Sequence, residues 1–495
     1  MVVISNSMEQ YQTNLAWDTL LDLGRPGTGP LHARLSRALR EAIRSGRVPD
    51  GASLPPSREM AADLGCSRWV VTEAYEQLVA EGYVEGRVGS GTRVRRVEEG
   101  AASPEGQVDR PAPAAGRVAA PSGPLPVFTG QRIDMAPGLP DLRHFPMARW
   151  LAACRSVAAS LPFTELGYPD RGGHRQLREV LAGYLMRVRG AVVDPLDVTV
   201  TTGVTDGVTR ACRAMGLAGI EVVATEDPGW NRLREAVRVA GLESVPVPVD
   251  EHGLQVELLT DLPQVRAVIV GPAHQFPTGA VLTPERRTAL LEWARRADGL
   301  ILEDDYDAEF RYDRRPVGTM QGTDRSRVAL LGSLSKSLVP ALGIGWIVTP
   351  PSWTEAVRET EVRPAAPPLL DQLAFAELVE SGAYDRHMRA ARKRYRARRD
   401  ALVAALASLM PDCHVSGAAA GLHLLVRRAG LFDAPVVVTR AAQLGVDVAS
   451  LDAYRISNRA IGMGLVLGYG NLGDGEVTEG VARLAEAMAK PAGYT

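Results

Sequence analysis

The sequence predicts a multidomain chain: a small α+β module, a linker, and a large α/β domain. Three observations predict it. Residues 31–96 carry helical apolar spacing that ends in a strand-like alternation. Residues 97–128 lose all apolar periodicity and fill with Pro, Ala, Gly and Ser. From about residue 195, short β-branched runs alternate with helical patterns, the signature of a sheet covered by helices on both faces. The expected boundaries are 1–30 (an N-terminal extension), 31–96, 97–128 and 129–490.

The first module reads as three helices and a β-ribbon. LHARLSRALREAIRSG places Leu31, Leu35, Leu39 and Ile43 on one face. SREMAADLG opens at an expected N-cap, Ser57, and stops at Gly65. SRWVVTEAYEQLVAEG opens at Ser67, stops at Gly82, and turns Val70, Val71, Ala74, Leu78 and Val79 inward. Two short helices joined by a tight glycine turn make a helix-turn-helix. YVEGRVGSGTRVRR then alternates and turns at Gly89-Ser90-Gly91, as a wing does.

Net charge over the whole chain is −2, which gives no global attraction to nucleic acid. The local balance differs: eleven arginines against eight acids in residues 31–96, a net of +3. Arg58 and Arg68 begin the two helices of the motif, and Arg87, Arg93, Arg95 and Arg96 load the wing. Ser hydroxyls and Arg at helix N-termini suit phosphate oxygens, and residues early in a second helix are placed to read a major groove. Spacing alone also fits a small helical interaction module with solvated arginines.

In the large domain, DVTVTTG, IEVVAT, VRAVIVGP, GLILED and RVALLG read as buried strands. GVTRACRAM, NRLREAVRVA and PERRTALLEWARRA read as the helices between them. Ligands of such sheets collect at strand ends, and the residues with chemistry sit there. Thr205 follows the first strand and opens a helix, where backbone amides favour an anion. Trp230, in EDPGW, and His274, in PAHQFPTG, follow other strands. Asp304, in LEDDYD, ends a strand with Tyr306 two residues on, and Ser333, Ser335 and Lys336 end the last strand. Singly, each has a plainer reading: a core tryptophan, a capping carboxylate, a solvated lysine.

Together they fit one chemistry. The chain has 56 Lys plus Arg, yet only three are lysines: Lys336, Lys393 and Lys490. An imine needs a primary amine, which a guanidinium cannot supply. A pyridoxal phosphate site further needs a carboxylate for the pyridine nitrogen, a phenol for the ring oxygen, a flat side chain on the ring and donors for the phosphate. Lys336, Asp304, Tyr306, Trp230, and Thr205 with Ser333 fill those roles in turn.

The motifs GRVPDGASLPPSREMAADLGCSRWVVTEAYEQL, GYPDRGGHRQL, EDPGW, HQFPTG, ILEDDYDAEF and GSLSKS, in that order, resemble the MocR/PdxR-type subfamily of GntR transcriptional regulators. The resemblance implies a GntR-type winged helix-turn-helix joined by a flexible linker to a fold-type I, PLP-dependent aminotransferase-like domain. It implies DNA contacts from Ser57, Arg58, Ser67, Arg68, Trp69, Thr72, Gly91 and Thr92. It implies pyridoxal 5'-phosphate held by Val204, Thr205, Trp230, His274, Asp304, Tyr306, Ser333, Ser335 and Lys336, the last through a Schiff base. It also implies a homodimer in which each winged helix reaches over the other protomer. Two positions depart from the pattern. Val204-Thr205-Asp206 replaces Ser-Gln-Gln in the phosphate loop, and Gly343 stands where the family has a phosphate-binding arginine. Losing such a charge-assisted contact costs about 1.5–3 kcal/mol. Arg455 and Arg459 lie where a substrate carboxylate clamp is expected.

Three functions remain open on sequence: a regulator sensing pyridoxal phosphate or its adduct with an amino compound, a working aminotransferase, and a regulator whose large domain only dimerises. The four cysteines have no paired spacing, so neither a metal centre nor a disulfide framework is expected. Without an N-terminal leader pattern or an apolar run of about 18 residues, a cytoplasmic protein is expected.

Overall fold

The computed structural model describes Trp17, Leu21 and residues 30–87, 91–94, 132–307, 309–312, 317–360, 366–417, 419–428, 432–457 and 462–489. The expected linker, Gly89, Ser90, Arg95, Arg96 and Arg459 lie outside the described residues.

The first module contains α1 (Leu31–Arg44), β1 (Ser53–Leu54), α2 (Ser57–Asp63), α3 (Arg68–Ala80), β2 (Val84–Arg87) and β3 (Gly91–Val94). The strands form an antiparallel sheet in the order β1-β3-β2. Leu35, Leu39, Ile43, Met60, Val71 and Leu78 close its core, together with Trp17 and Leu21. Gly65 takes a left-handed φ of +59° between α2 and α3, a conformation that glycine adopts without steric cost. Ser67 occupies the N-cap of α3 but makes no side-chain cap bond. Ser57 is the first helical residue of α2 rather than its cap, and its hydroxyl accepts from Arg68 Nε at 3.1 Å. Both serine hydroxyls are thus spared from capping.

The large domain opens with β4 (Ile133–Asp134), α4 (Met147–Ser160) and α5 (Arg175–Arg189). Its central portion runs β5 (Val198–Thr201), α6 (Val204–Leu217), β6 (Val222–Asp227), α7 (Asn231–Val239), β7 (Glu243–Asp250), β8 (Gly253–Leu254), β9 (Val265–Val270), α8 (Pro284–Arg296), β10 (Leu300–Asp304), β11 (Val328–Ser333) and β12 (Gly345–Val348). These eight strands form one sheet in the order β5-β12-β11-β10-β9-β6-β7-β8. The β6, β7, β9, β10 and β11 pairings are parallel. Strand β12 slots in antiparallel between β5 and β11.

Helices α9 (Thr354–Glu359), α10 (Leu369–Glu380) and the 27-residue α11 (Ala383–Leu409) lead into a second, four-stranded sheet. That part holds β13 (Cys413–Ser416), β14 (His423–Arg428), α12 (Ala434–Gln443), β15 (Val446–Asp447), β16 (Ala449–Ser450), β17 (Leu465–Gly468) and α13 (Glu476–Ala489). The order of this sheet is β13-β14-β17-β16, while β15 pairs with β4.

Strand period two decides what the large sheet offers at its ends. In β10, Leu300 and Leu302 enter the core with Val208 and Cys212 of α6, whereas Ile301 enters the core with Leu290 and Trp293 of α8. Continuing that alternation, Asp304 belongs to the α6 face and Glu303 to the opposite one. In β11, Ala329 and Leu331 share the α6 face, which brings Ser333 to the same side as Asp304.

Candidate effector site and nucleic-acid interface

Lys336 lies in the turn after β11, partly buried, and its Nζ donates to the Gly138 carbonyl at 2.5 Å. Burial holds the amine below its ordinary value, against the pull of Asp307 and Asp304. Asp304 is buried at the end of β10, and its Oδ1 accepts no hydrogen bond from any described residue. Burial pushes this carboxyl up to about 7; Asp307 and Asp305 add to the push, and Lys336 opposes it. An acceptor left unmatched inside a protein costs about 1–3 kcal/mol. It needs a donor, and a protonated pyridine nitrogen is one.

The Tyr306 hydroxyl lies 3.1 Å from His274 Nδ1, and that nitrogen lies 2.9 Å from Asp307. Burial raises the phenol well above its ordinary value, with Asp307 and Asp304 contributing. Trp230 immediately precedes α7 and is half-buried against the core cluster that contains Val204. The turn between β5 and α6 presents Gly203, Val204 and Thr205 at the helix start. Gly203 packs so closely on β12 that a Cβ at Gly345 would lie 2.6 Å from its Cα. Ser333 ends β11, and its hydroxyl accepts from Ser335 N at 3.4 Å.

Two features weaken this anion cradle. Asp206 already brings a carboxylate to the start of α6, where it accepts from Thr202 N at 2.9 Å and pairs with Arg210 at 2.9 Å. Negative charge there answers the helix dipole that a phosphate would otherwise use. Gly343 sits in a left-handed turn, φ +56°, and a Cβ on it would have Thr202 O at 3.9 Å. The position faces Thr202, just before the β5–α6 turn, and carries no side chain.

Sequence reasoning missed several members of the site. Glu226, in the quoted EDPGW, is buried and pushed up to about 8 by burial, with Oε1 unmatched among the described residues. Asp307, in the quoted LEDDYD run, anchors His274. His423 of β14 stacks at 5.0 Å from His274, and burial holds it well below its ordinary value. His274, Asp307 and His423 bring metal-capable atoms within 4.8 Å of one another, a grouping that no local spacing reveals. Gly421 must lack a side chain there, since a Cβ would lie 2.1 Å from His274. The Gly138 carbonyl had no signal at all. Arg455 is engaged by Asp452 at 3.4 Å and by Gly462 O at 2.9 Å.

On the winged module, Arg58, Ser67, Arg68 and Trp69 are exposed, with Ser57 and Thr72 half-buried between them. Trp69, 62% exposed, meets His32 edge-on at 5.5 Å. Thr72 returns its hydroxyl to Arg68 O at 3.0 Å. Gly91 and Thr92 open β3. The described residues therefore present two helix starts and a strand on one module, with arginines uncovered.

Residues 31–94 match the family described as bacterial regulatory proteins, gntR family, and residues 133–444 match aminotransferase class I and II. The chain is 32% identical over 482 residues to a probable rhizopine catabolism regulatory protein, MocR, of Rhizobium meliloti, covering 95% of this chain and 96% of that one. It is 31% identical to the HTH-type pyridoxine biosynthesis transcriptional regulator PdxR of Corynebacterium glutamicum, covering 92% and 95% respectively. An archaeal alanine:glyoxylate aminotransferase superposes with a TM-score of 0.67 at 25% identity, over 72% of this chain and 90% of that one. No described helix is long and apolar enough to cross a membrane.

The state of Asp304 sets a pH dependence. Its folded value of about 7 lies above the ordinary carboxyl value near 4. The stability contributed by its neutral form is complete below about pH 4 and is lost as pH rises through about 7. Thermal unfolding of the cofactor-free protein should show Tm falling between about pH 5 and about pH 8, more steeply in wild type than in Asp304→Asn. Parallel curves would contradict the assignment.

Proposed function

The chain belongs to the MocR/PdxR-type subfamily of GntR transcriptional regulators, DNA-binding proteins with an aminotransferase-like domain, and from that premise we propose that it senses pyridoxal 5'-phosphate, or an amino-compound adduct of it, through a Schiff base at Lys336. The observation that carries the reading is the buried, unmatched Asp304 oxygen in the same electrostatic cluster as the Lys336 amine. Lys393, by contrast, is exposed on α11.

Each side chain then has a task. Lys336 would hold the cofactor through its amine, and burial favours the neutral form that such a link requires. Asp304 would accept from the pyridine nitrogen, which would favour its ionised form. Tyr306, positioned by His274 and Asp307, would donate to the ring oxygen. Trp230 would pack on the ring. Val204 and Thr205, with Ser333 and Ser335, supply donors for the phosphate. When bound, the cofactor would supply an electrophilic carbon reactive toward amines.

For DNA, Ser57, Arg58, Ser67, Arg68, Trp69 and Thr72 form the groove face, and Gly91 and Thr92 the wing. Association as a homodimer is supported by a run of exposed apolar residues on and after α4: Met147, Leu151, Phe163, Leu166 and Tyr168. Exposed apolar residues in such number mark an interaction surface.

Four experiments test this reading. Added pyridoxal phosphate should give wild type, and not Lys336→Ala, an absorbance band of lysine-linked cofactor; a band in both, or in neither, counts against the site. A multiple-turnover transamination assay on an amino-acid panel distinguishes a sensor from an enzyme. Operator binding by wild type should weaken steeply with salt, and Arg68→Ala should lose about tenfold or more in affinity; unchanged binding would remove the recognition helix from the account. Phe163→Glu with Leu166→Glu should shift sedimentation toward a monomer, and an unaltered profile would place the dimer contact elsewhere.

A further inference from the structure

Within one chain the winged module and the large domain touch through a small polar contact, whereas the resemblance implies a winged helix reaching over the other protomer. From α1, Arg40 reaches Glu81 with Nε and Nη2 at 2.6–2.8 Å, and both side chains are nearly inaccessible. Two residues on, the Tyr83 hydroxyl donates to Gly322 O at 2.7 Å, and the Arg40 guanidinium lies 5.9 Å from the Tyr83 ring. The residues assigned to DNA are on an uncovered part of the module, whereas Arg40, Glu81 and Tyr83 are buried.

Three glycines, Gly190, Gly318 and Gly322, form the ledge that receives them. A Cβ at Gly190, the left-handed residue ending α5, would lie 3.4 Å from the Arg40 guanidinium. A Cβ at Gly318 would lie 2.7 Å from Glu81 Oε1, and one at Gly322 would lie 2.2 Å from Gly190 O. Glu81 cannot swing aside freely, because Arg40 grips it with two nitrogens. A charged pair this enclosed is costly unless every partner is in place.

Beneath the ledge, each part is tied to the strand that carries Asp304. Glu303 accepts from Met320 N at 3.1 Å and Gln321 N at 3.0 Å. Arg287 donates to Gly318 O at 3.0 Å and is electrostatically linked to both Glu303 and Glu81. Arg189 pairs with Asp305 at 2.7 Å, while its carbonyl accepts from Thr319 N at 3.2 Å. The residues on either side of Asp304 thus hold residues 318–322, and those hold the winged module.

We propose that this glycine ledge is the seat of the winged helix-turn-helix, and that it is the joint through which occupancy at Asp304 sets the DNA-binding domain's position. The coupling rests on the reading that pyridoxal phosphate is the effector; the docking does not. Binding at Asp304 fixes a strand end whose flanking carboxylates are the ledge's supports, so the seat and the cofactor draw on one short segment. Coupling of this kind requires that the seated arrangement differ in stability between the two cofactor states.

Gly318→Val fills the ledge without backbone strain, since Gly318 is not among the left-handed glycines. Tyr83→Phe keeps the ring and removes the hydroxyl's hydrogen bonds to Gly322 O and the Thr323 side chain. Hydrogen exchange at residues 79–84 and 317–323 of the full chain reads the docking. We expect exchange there to quicken about tenfold or more in Gly318→Val and about two- to tenfold in Tyr83→Phe. Unchanged exchange in both overturns the seat. Operator affinity with and without pyridoxal phosphate reads the coupling. The wild-type ratio should differ from one, and the Gly318→Val ratio should fall to about one while its cofactor band persists. A released seat that keeps the wild-type ratio overturns the joint. A wild type that takes up no cofactor sinks the effector reading and the coupling with it, while exchange still decides the docking.

Discussion

A carboxyl buried at a strand end without a hydrogen-bond partner is tolerated only where something repays it or where it stays neutral. Asp304 is such a group. The β10 alternation turns it toward α6, the phosphate loop and Ser333, and turns Glu303 toward the opposite face. Lys336 lies within its electrostatic reach, and Tyr306 follows two residues later on the same strand end. The pocket is therefore built around a charge that the apo protein suppresses and a pyridine nitrogen would stabilise.

The same pocket would hold a phosphate less firmly than one with a cation over the loop. Asp206 occupies the start of α6 with its own carboxylate, and Gly343 offers no cation over the loop. A missing charge-assisted contact corresponds to roughly ten- to hundredfold in affinity. An effector has to leave as well as bind, whereas an enzyme gains by keeping its cofactor through every turnover. The weakened cradle beside an intact amine, carboxylate and phenol is thus consistent with sensing.

Much of this was legible in the sequence because its signals are local. The glycine-punctuated helices of the winged module, the strand-helix alternation, and Lys336 among 53 arginines all lie within short windows. The antiparallel strand β12 was not legible: Gly345–Val348 has no period of its own, and only its pairing with β5 and β11 identifies it. Arg40 carries no signal of its own in α1, because its partner Glu81 lies a whole motif away. His274 was found by resemblance, but Asp307 and His423, which fix its ring, come together only in the folded chain. Gly318 and Gly322 were silent for a related reason. Their meaning is the side chain they do not have, opposite Glu81 for Gly318 and opposite the Gly190 carbonyl for Gly322.

The central claim is that the Lys336 amine and the Asp304 carboxyl together take a pyridoxal phosphate. Its most direct test is borohydride reduction of the protein incubated with that cofactor, followed by peptide mass spectrometry. The account predicts a pyridoxyl-phosphate adduct on the peptide containing Lys336, with none on the peptide containing exposed Lys393. An unmodified Lys336, or equal labelling of both lysines, would contradict it.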